Sequence, residues 1–187
     1  MHGMGTLLLF HIVTSLGQNV HGSDIIHGEK APENSMQYMV SLQNKTGHHV
    51  CGGFLVSEDF VLPTSSNANL KDGQICSVAG WGKTGTNHFT VDDLRVVNVS
   101  ILNPQLCREK WGDPFPSNVI CAGGYDTDKG FCQGDSGGPL VCNQVAVGVV
   151  SFNNRANCDY PDVPNVYTDI SKYLPWINYI TKTKKCV

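Results

Sequence analysis

Charge is scarce in this 187-residue chain: 16% of residues are charged, the net charge is −3, and no basic stripe runs through it. That excludes the electrostatic footprint of a nucleic-acid binder and a polybasic membrane anchor. Apolar runs are short as well. Leu7 to Leu16, interrupted by His11, falls well below the roughly 20 residues needed to cross a bilayer, so no membrane span is expected. Repeats, low-complexity tracts and a phosphate-cradling glycine loop are absent. The histidines and cysteines lack zinc-finger spacing, and the adjacent His48 and His49 diverge on an extended strand, so neither a metal nor a cofactor is expected.

What the chain does have is cysteine and punctuation. Eight cysteines behind an apolar leader imply a disulfide framework in a secreted protein, although eight allow 105 pairings. Residues 1–22, ending in Val20-His21-Gly22, read as a signal peptide despite a start without Lys or Arg. The protein is therefore expected outside the cell or in a secretory granule. Two N-glycosylation sequons, Asn44-Lys45-Thr46 in a polar turn and Asn98-Val99-Ser100 within a strand-like run where folding would bury it, fit that destination.

Strand-like runs alternate with Gly, Pro, Asn and Asp, which predicts an all-β protein. The predicted strands are Met36 to Gln43, Val50 to Val56, Ile75 to Trp81, Leu94 to Leu102, Asn118 to Ala122, Pro139 to Cys142, Val145 to Phe152 and Asn165 to Thr168. Only the tail reads as helix: Tyr173, Trp176, Ile177 and Ile180 recur at helical spacing, with Pro175 in the first turn and Lys182, Lys184 and Lys185 at the C-terminal end.

Chemistry concentrates in Gly134-Asp135-Ser136-Gly137-Gly138-Pro139-Leu140. A serine hydroxyl is a weak nucleophile near neutral pH and needs a base, itself held in the right tautomer. The flanking glycines permit a sharp bend that aims the N–H groups of Gly134 and Ser136 at a developing oxyanion.

In these motifs the chain resembles the chymotrypsin-like (trypsin) family of serine proteases, in its granzyme, mast-cell protease and duodenase-like branch. The matching segments are Ile25-Ile26-His27-Gly28, Tyr38-Met39-Val40-Ser41-Leu42-Gln43, Cys51-Gly52-Gly53-Phe54-Leu55, Ala79-Gly80-Trp81-Gly82, Ile120-Cys121-Ala122-Gly123, the nucleophile loop, and Tyr173-Leu174-Pro175-Trp176-Ile177. The resemblance implies a double β-barrel with a C-terminal helix and hydrolysis of peptide bonds through an acyl-enzyme, with a protein or peptide as substrate or inhibitor. It implies a zymogen: removal of Ser23-Asp24 frees the amine of Ile25 to pair with Asp135, and His27, where glycine is usual, would crowd that segment. It pairs Cys76 with Cys142, Cys107 with Cys121 and Cys132 with Cys158, leaving Cys51 and Cys186 without partners. It also places Gly130 at the floor of the substrate pocket, with Ser151, Phe152, Asn153 and Asn165 along its walls. An uncharged floor argues against strong Arg or Lys preference, and the two asparagines would narrow or polarise the slot.

The same resemblance exposes a gap. Family members carry the catalytic histidine in a Thr-Ala-Ala-His-Cys context just after the Cys-Gly-Gly strand, and an aspartate further on. Here Glu58-Asp59-Phe60-Val61 runs straight into Leu62-Pro63-Thr64-Ser65. Cys51 and Ser136 are only 85 residues apart, whereas the family order separates histidine and serine by roughly 140. The first barrel is thus expected to be a remnant at 25–63, followed by a linker at 64–74 and a complete second barrel plus helix at 75–187. His49 is the nearest substitute base, but its neighbourhood in the family faces the aspartate before the nucleophile in the unactivated state. His88, Asp92 and Asp93 read as solvated loop residues. Ser136 is therefore expected to be inactive or severely impaired. The chain is then the product of a serine endopeptidase lineage, a secreted pseudoprotease that binds proteins, or a nonfunctional splice or prediction product.

Overall fold

The computed structural model describes residues 25–55, 70–154, 157–158 and 162–183. The leader, the Ser23-Asp24 dipeptide, the join at Val61-Leu62 and Cys186 lie outside the described residues.

Among the described residues nine strands form two antiparallel sheets: β1 (Glu29–Lys30), β2 (Met39–Gln43), β3 (His49–Phe54), β4 (Ile75–Gly80), β5 (Arg95–Ser100), β6 (Val119–Cys121), β7 (Pro139–Cys142), β8 (Val145–Phe152) and β9 (Val166–Asp169). The larger sheet has the order β1-β5-β4-β7-β8-β9-β6, and among the described residues β2 pairs only with β3. A bridge between Ile101 and Ala122, with Leu102 N–H on the Cys121 carbonyl at 2.9 Å, curls the larger sheet so that the β6 end meets the continuation of β5. Side chains that alternate along each strand then point into one interior, where Val78, Val97, Val99, Ile120, Leu140, Val147, Val150 and Tyr167 are buried together. Three disulfides, Cys76–Cys142, Cys107–Cys121 and Cys132–Cys158, tie this sheet and its loops. Each such cross-link is worth about 2–5 kcal/mol in a small domain.

The tail forms a 3-10 turn at Ile170–Tyr173, capped by the Asp169 carboxylate on Ser171 N–H at 2.9 Å, and then helix α2 (Leu174–Thr183). Leu174 and Ile170 pack with Ala146, Val149 and Phe54, which fastens the tail to both sheets.

A second helix corrects the expectation that only the tail is helical. Helix α1 (Pro104–Trp111) follows β5; Asn103 caps it by accepting the Gln105 N–H at 2.9 Å, and Pro104 stands at the start, where its missing N–H costs nothing. Its composition is polar, but Cys107 is fully buried in its disulfide, and Trp111 packs edge-on against Phe152 at 5.1 Å. Two further expectations change. Asn98 is exposed although it lies within β5, so folding leaves its sequon accessible. His27, expected to crowd the segment that begins at Ile25, turns outward to Asp128 at 3.1 Å, at the cost of a left-handed backbone with φ 53°.

Candidate active site

Glycine makes the room in which the nucleophile loop folds. Asp135 is fully buried, its Oδ1 accepting the Gly82 N–H at 2.7 Å and its Oδ2 the Cys132 N–H at 3.0 Å. A methyl group on Gly82 would stand 2.5 Å from the carboxylate, and one on Gly80 would overlap it outright. The glycines of Ala79-Gly80-Trp81-Gly82 thus hollow out the carboxylate's seat. Burial raises the Asp135 carboxyl to about 7 from an ordinary 3.8, against the opposing pull of the Cys132 and Gly82 N–H groups. Ile25, predicted to supply the counter-charge once freed, is also fully buried.

After Asp135 the chain turns sharply. Gly134 and Gly137 take φ of 102° and 88°, and Gly137 N–H binds the Val150 carbonyl at 3.0 Å. Among the described residues, the N–H groups of Gly134 and Ser136 donate to no protein acceptor, and Ser136 is partly exposed. Two adjacent unpaired donors of this kind are the requirement for holding an oxyanion.

The base is another matter. His49 on β3 lies over the loop, with Nε2 2.8 Å from the Gly134 carbonyl oxygen and Nδ1 2.8 Å from Ser41 Oγ. A carbonyl can only accept, so Nε2 carries the proton and Ser41 donates to Nδ1. Desolvation lowers the His49 value, partly offset by the Gly134 bond, and favours this neutral form. His49 is therefore spent on the backbone of the loop and does not reach Asp135, whose carboxylate faces Gly82 and Cys132. The remaining described histidines are engaged elsewhere: His27 with Asp128, His48 with Thr46 and His88 with Thr84. Asp93 pairs with Lys30 at 3.0 Å and Asp92 is exposed. Among the described residues no histidine bonds to the Ser136 hydroxyl.

Asn153 and Asn165, expected along the pocket walls, both bond to the backbone of Phe131. Gly130, Phe131, Asn153 and Asn165 are all buried beside the loop, while Ser151 is exposed and Phe152 partly so. Phe131 packs edge-on against Tyr167 at 5.1 Å. Its importance is missed by the motif reading, which passes from Gly130 to the cysteine after it. The signal available was a large aromatic inside an otherwise glycine-rich loop. Among the described residues no group of three His, Cys, Asp or Glu could hold a metal ion, and no helix is long and apolar enough to cross a membrane.

A curled antiparallel sheet carrying Gly-Asp-Ser-Gly-Gly on a loop with a buried aspartate defines the chymotrypsin-like class of serine protease folds. The Trypsin family matches this chain over residues 25–66 and 62–177. Duodenase-1 of Bos taurus is 30% identical, the match covering 92% of this chain and 95% of that protein. Mast cell protease 3 of Ovis aries is 31% identical over 91% and 93% respectively. Among solved structures, neuropsin, a serine protease expressed in mouse brain, superposes with a TM-score of 0.72 at 21% identity, covering 84% of this chain and 100% of that one. The chain belongs to the trypsin family.

Proposed function

We propose that this chain comes from a secreted serine endopeptidase lineage and folds the nucleophile loop, oxyanion donors and activation carboxylate of that lineage around a serine without a base. The observation that carries the reading is the engagement of His27, His48, His49 and His88 away from Ser136. The comparisons add support of another kind. The family matches in two stretches that meet and overlap at residues 62–66, where the catalytic histidine segment is expected to be missing. The alignment with duodenase-1 spans 242 positions but includes only 92% of these 187 residues, so about 70 positions have no counterpart here.

In this reading residues 1–22 direct secretion, Ser23-Asp24 is removed, and the amine of Ile25 neutralises Asp135. Gly134 and Ser136 supply the oxyanion donors, and protein or peptide segments are the partners. Loss of a triad member lowers turnover by about a million-fold, leaving only oxyanion and binding effects. Hydrolysis of a peptide ester by the chain cleaved before Ile25 should therefore lie about a million-fold below that of the same chain with a His- and Asp-bearing segment restored between Val61 and Leu62. Comparable turnover of the two would overturn the proposal.

A further inference from the structure

The two sequons of the chain fold in different ways. Asn44-Lys45-Thr46 lies in the loop that joins β2 to β3, and residues 42–48 are all exposed. Three donors converge on Asn44 Oδ1: the Thr46 N–H at 2.9 Å, the Thr46 hydroxyl at 2.7 Å and the His48 N–H at 3.0 Å. A backbone N–H can only donate, so these bonds fix which end of the carboxamide is oxygen. Among the described residues its Nδ2 bonds to nothing. The main chain closes the same loop, with Asn44 N–H on the His48 carbonyl at 2.9 Å, Gly47 N–H on the Asn44 carbonyl at 3.0 Å and Gly47 at φ 83°. All of these bonds stay within residues 44–48, so the loop can form without the rest of the fold.

Asn98-Val99-Ser100 is built otherwise. It lies in β5, where Asn98 stands opposite Ser77 and Ser100 opposite Ile75. Residues two apart on a strand are about 7 Å from one another. Among the described residues no bond joins the Ser100 hydroxyl to the Asn98 carboxamide.

The contrast bears on one reaction, the transfer of a sugar to an asparagine nitrogen. Nδ2 attacks the anomeric carbon of a lipid-linked glycosyl diphosphate. The N–C bond forms as the C–O bond to phosphate breaks, the diphosphate leaves with the electron pair, and Nδ2 gives one of its protons to a base of the transferring enzyme. Donors on Oδ1 stabilise the charge which that oxygen takes as Nδ2 loses its proton. A threonine hydroxyl has a single proton, so with it on Asn44 the donor between His48 Nδ1 and Thr46 Oγ1, 2.7 Å apart, is His48. Hydrogen bonds in such a chain strengthen one another.

We infer that Asn44 carries an N-linked glycan, accepted by a loop whose own hydrogen bonds engage Oδ1 and leave Nδ2 open, and that Asn44 is filled ahead of Asn98. The inference rests on the secretion proposed above, because the sugar donor is met inside the secretory pathway. The glycan adds a bulky, solubilising group at the end of a hairpin whose Leu42 and Val50 are exposed.

The full chain, translated into microsomes with its own residues 1–22 or with an established secretory leader in their place, tests this. Protease removes chains left outside. An amidase that releases N-glycans in heavy-oxygen water then marks each formerly glycosylated asparagine as a labelled aspartate, read by mass spectrometry. Asn44 should carry the mark in a larger share of molecules than Asn98. Thr46→Ala should lose it at Asn44 alone, and Thr46→Ser should retain it. Gly47→Val keeps the sequon and its Cβ would meet nothing within 4 Å, but it strains the turn at φ 83°, so the share marked at Asn44 should fall. Luminal chain unmarked at Asn44, or marked more at Asn98, would overturn the site. An undiminished share in Gly47→Val would overturn the part given to the loop. Entry and marking only with the replacement leader would contradict the secretion reading and leave Asn44 supported.

Discussion

In the seven-stranded sheet, β4 buries four of its six residues and β7 three of its four. In the β2–β3 pair, β2 buries none of five and β3 only Gly52. Both regions are written in the same alternating apolar sequence, and both are antiparallel with register shifts, between Leu42 and Gln43 in the pair and between Leu140 and Val141 in the larger sheet. The difference is that the larger sheet curls to face itself, whereas β2 and β3 have no strands opposite them among the described residues. Leu42, Val50 and Leu55 consequently lie 42–52% exposed. The pair is held through the nucleophile loop instead. A Cβ on Gly52 would stand 3.3 Å from the Asp135 carbonyl oxygen and from Gly138 N, Met39 packs near Ala79 and Val96, and His49 bonds Gly134. A strand's pattern earns stability only when something covers its apolar face.

Substitutions should separate the two regions sharply. The largest effect is expected from Gly82→Ala, which drives a methyl group into the fully buried carboxylate of Asp135; a loss above about 4 kcal/mol is the rare diagnostic range for such overlap, measured by urea denaturation. A loss under about 1 kcal/mol would mean that the loop repacks freely.

Next comes pH. Because the folded Asp135 value of about 7 lies above the ordinary 3.8, its contribution to stability is fully present below about pH 3.8 and is lost as pH rises through about 7. The uncleaved chain should therefore lose up to about 4 kcal/mol across that window from this group. Asp135→Asn should flatten the profile, as should cleavage before Ile25 if the freed amine supplies the counter-charge. An unchanged profile in Asp135→Asn would assign the dependence to another group.

Removing the helix cap with Asn103→Ala should cost about 1 kcal/mol. The smallest effect is expected in the hairpin: Leu42→Ser should change stability by no more than about 0.5 kcal/mol, since the side chain is already wet. A Leu42→Ser loss as large as that of a core truncation would show that a facing layer covers the pair after all.

How much of this the sequence revealed follows the range of the forces involved. Strands β4, β7 and β8 were legible because alternation and turn residues are local signals, and Pro139–Cys142 and Val145–Phe152 keep their predicted bounds. Strand β1 has two polar residues and exists only because Glu29 and Lys30 meet Val96 and Arg95. Helix α1 was not read from the sequence: its polar composition hid it, and its place is fixed by the Cys107–Cys121 bond. In the site, the motif announced Ser136 and Asp135. The seat made by Gly80 and Gly82, the capture of His49 by Gly134 and the bonds of Asn153 and Asn165 to Phe131 each join residues distant in sequence, and no local pattern encodes them.

The central claim is that Ser136 is folded into its loop but not activated. Labelling by a serine-directed phosphonate, with the chain cleaved before Ile25 and compared with a version carrying the restored His- and Asp-bearing segment, tests it most directly. The restored form should label rapidly at Ser136 while the natural chain stays unlabelled, and equal labelling of the two would contradict the account.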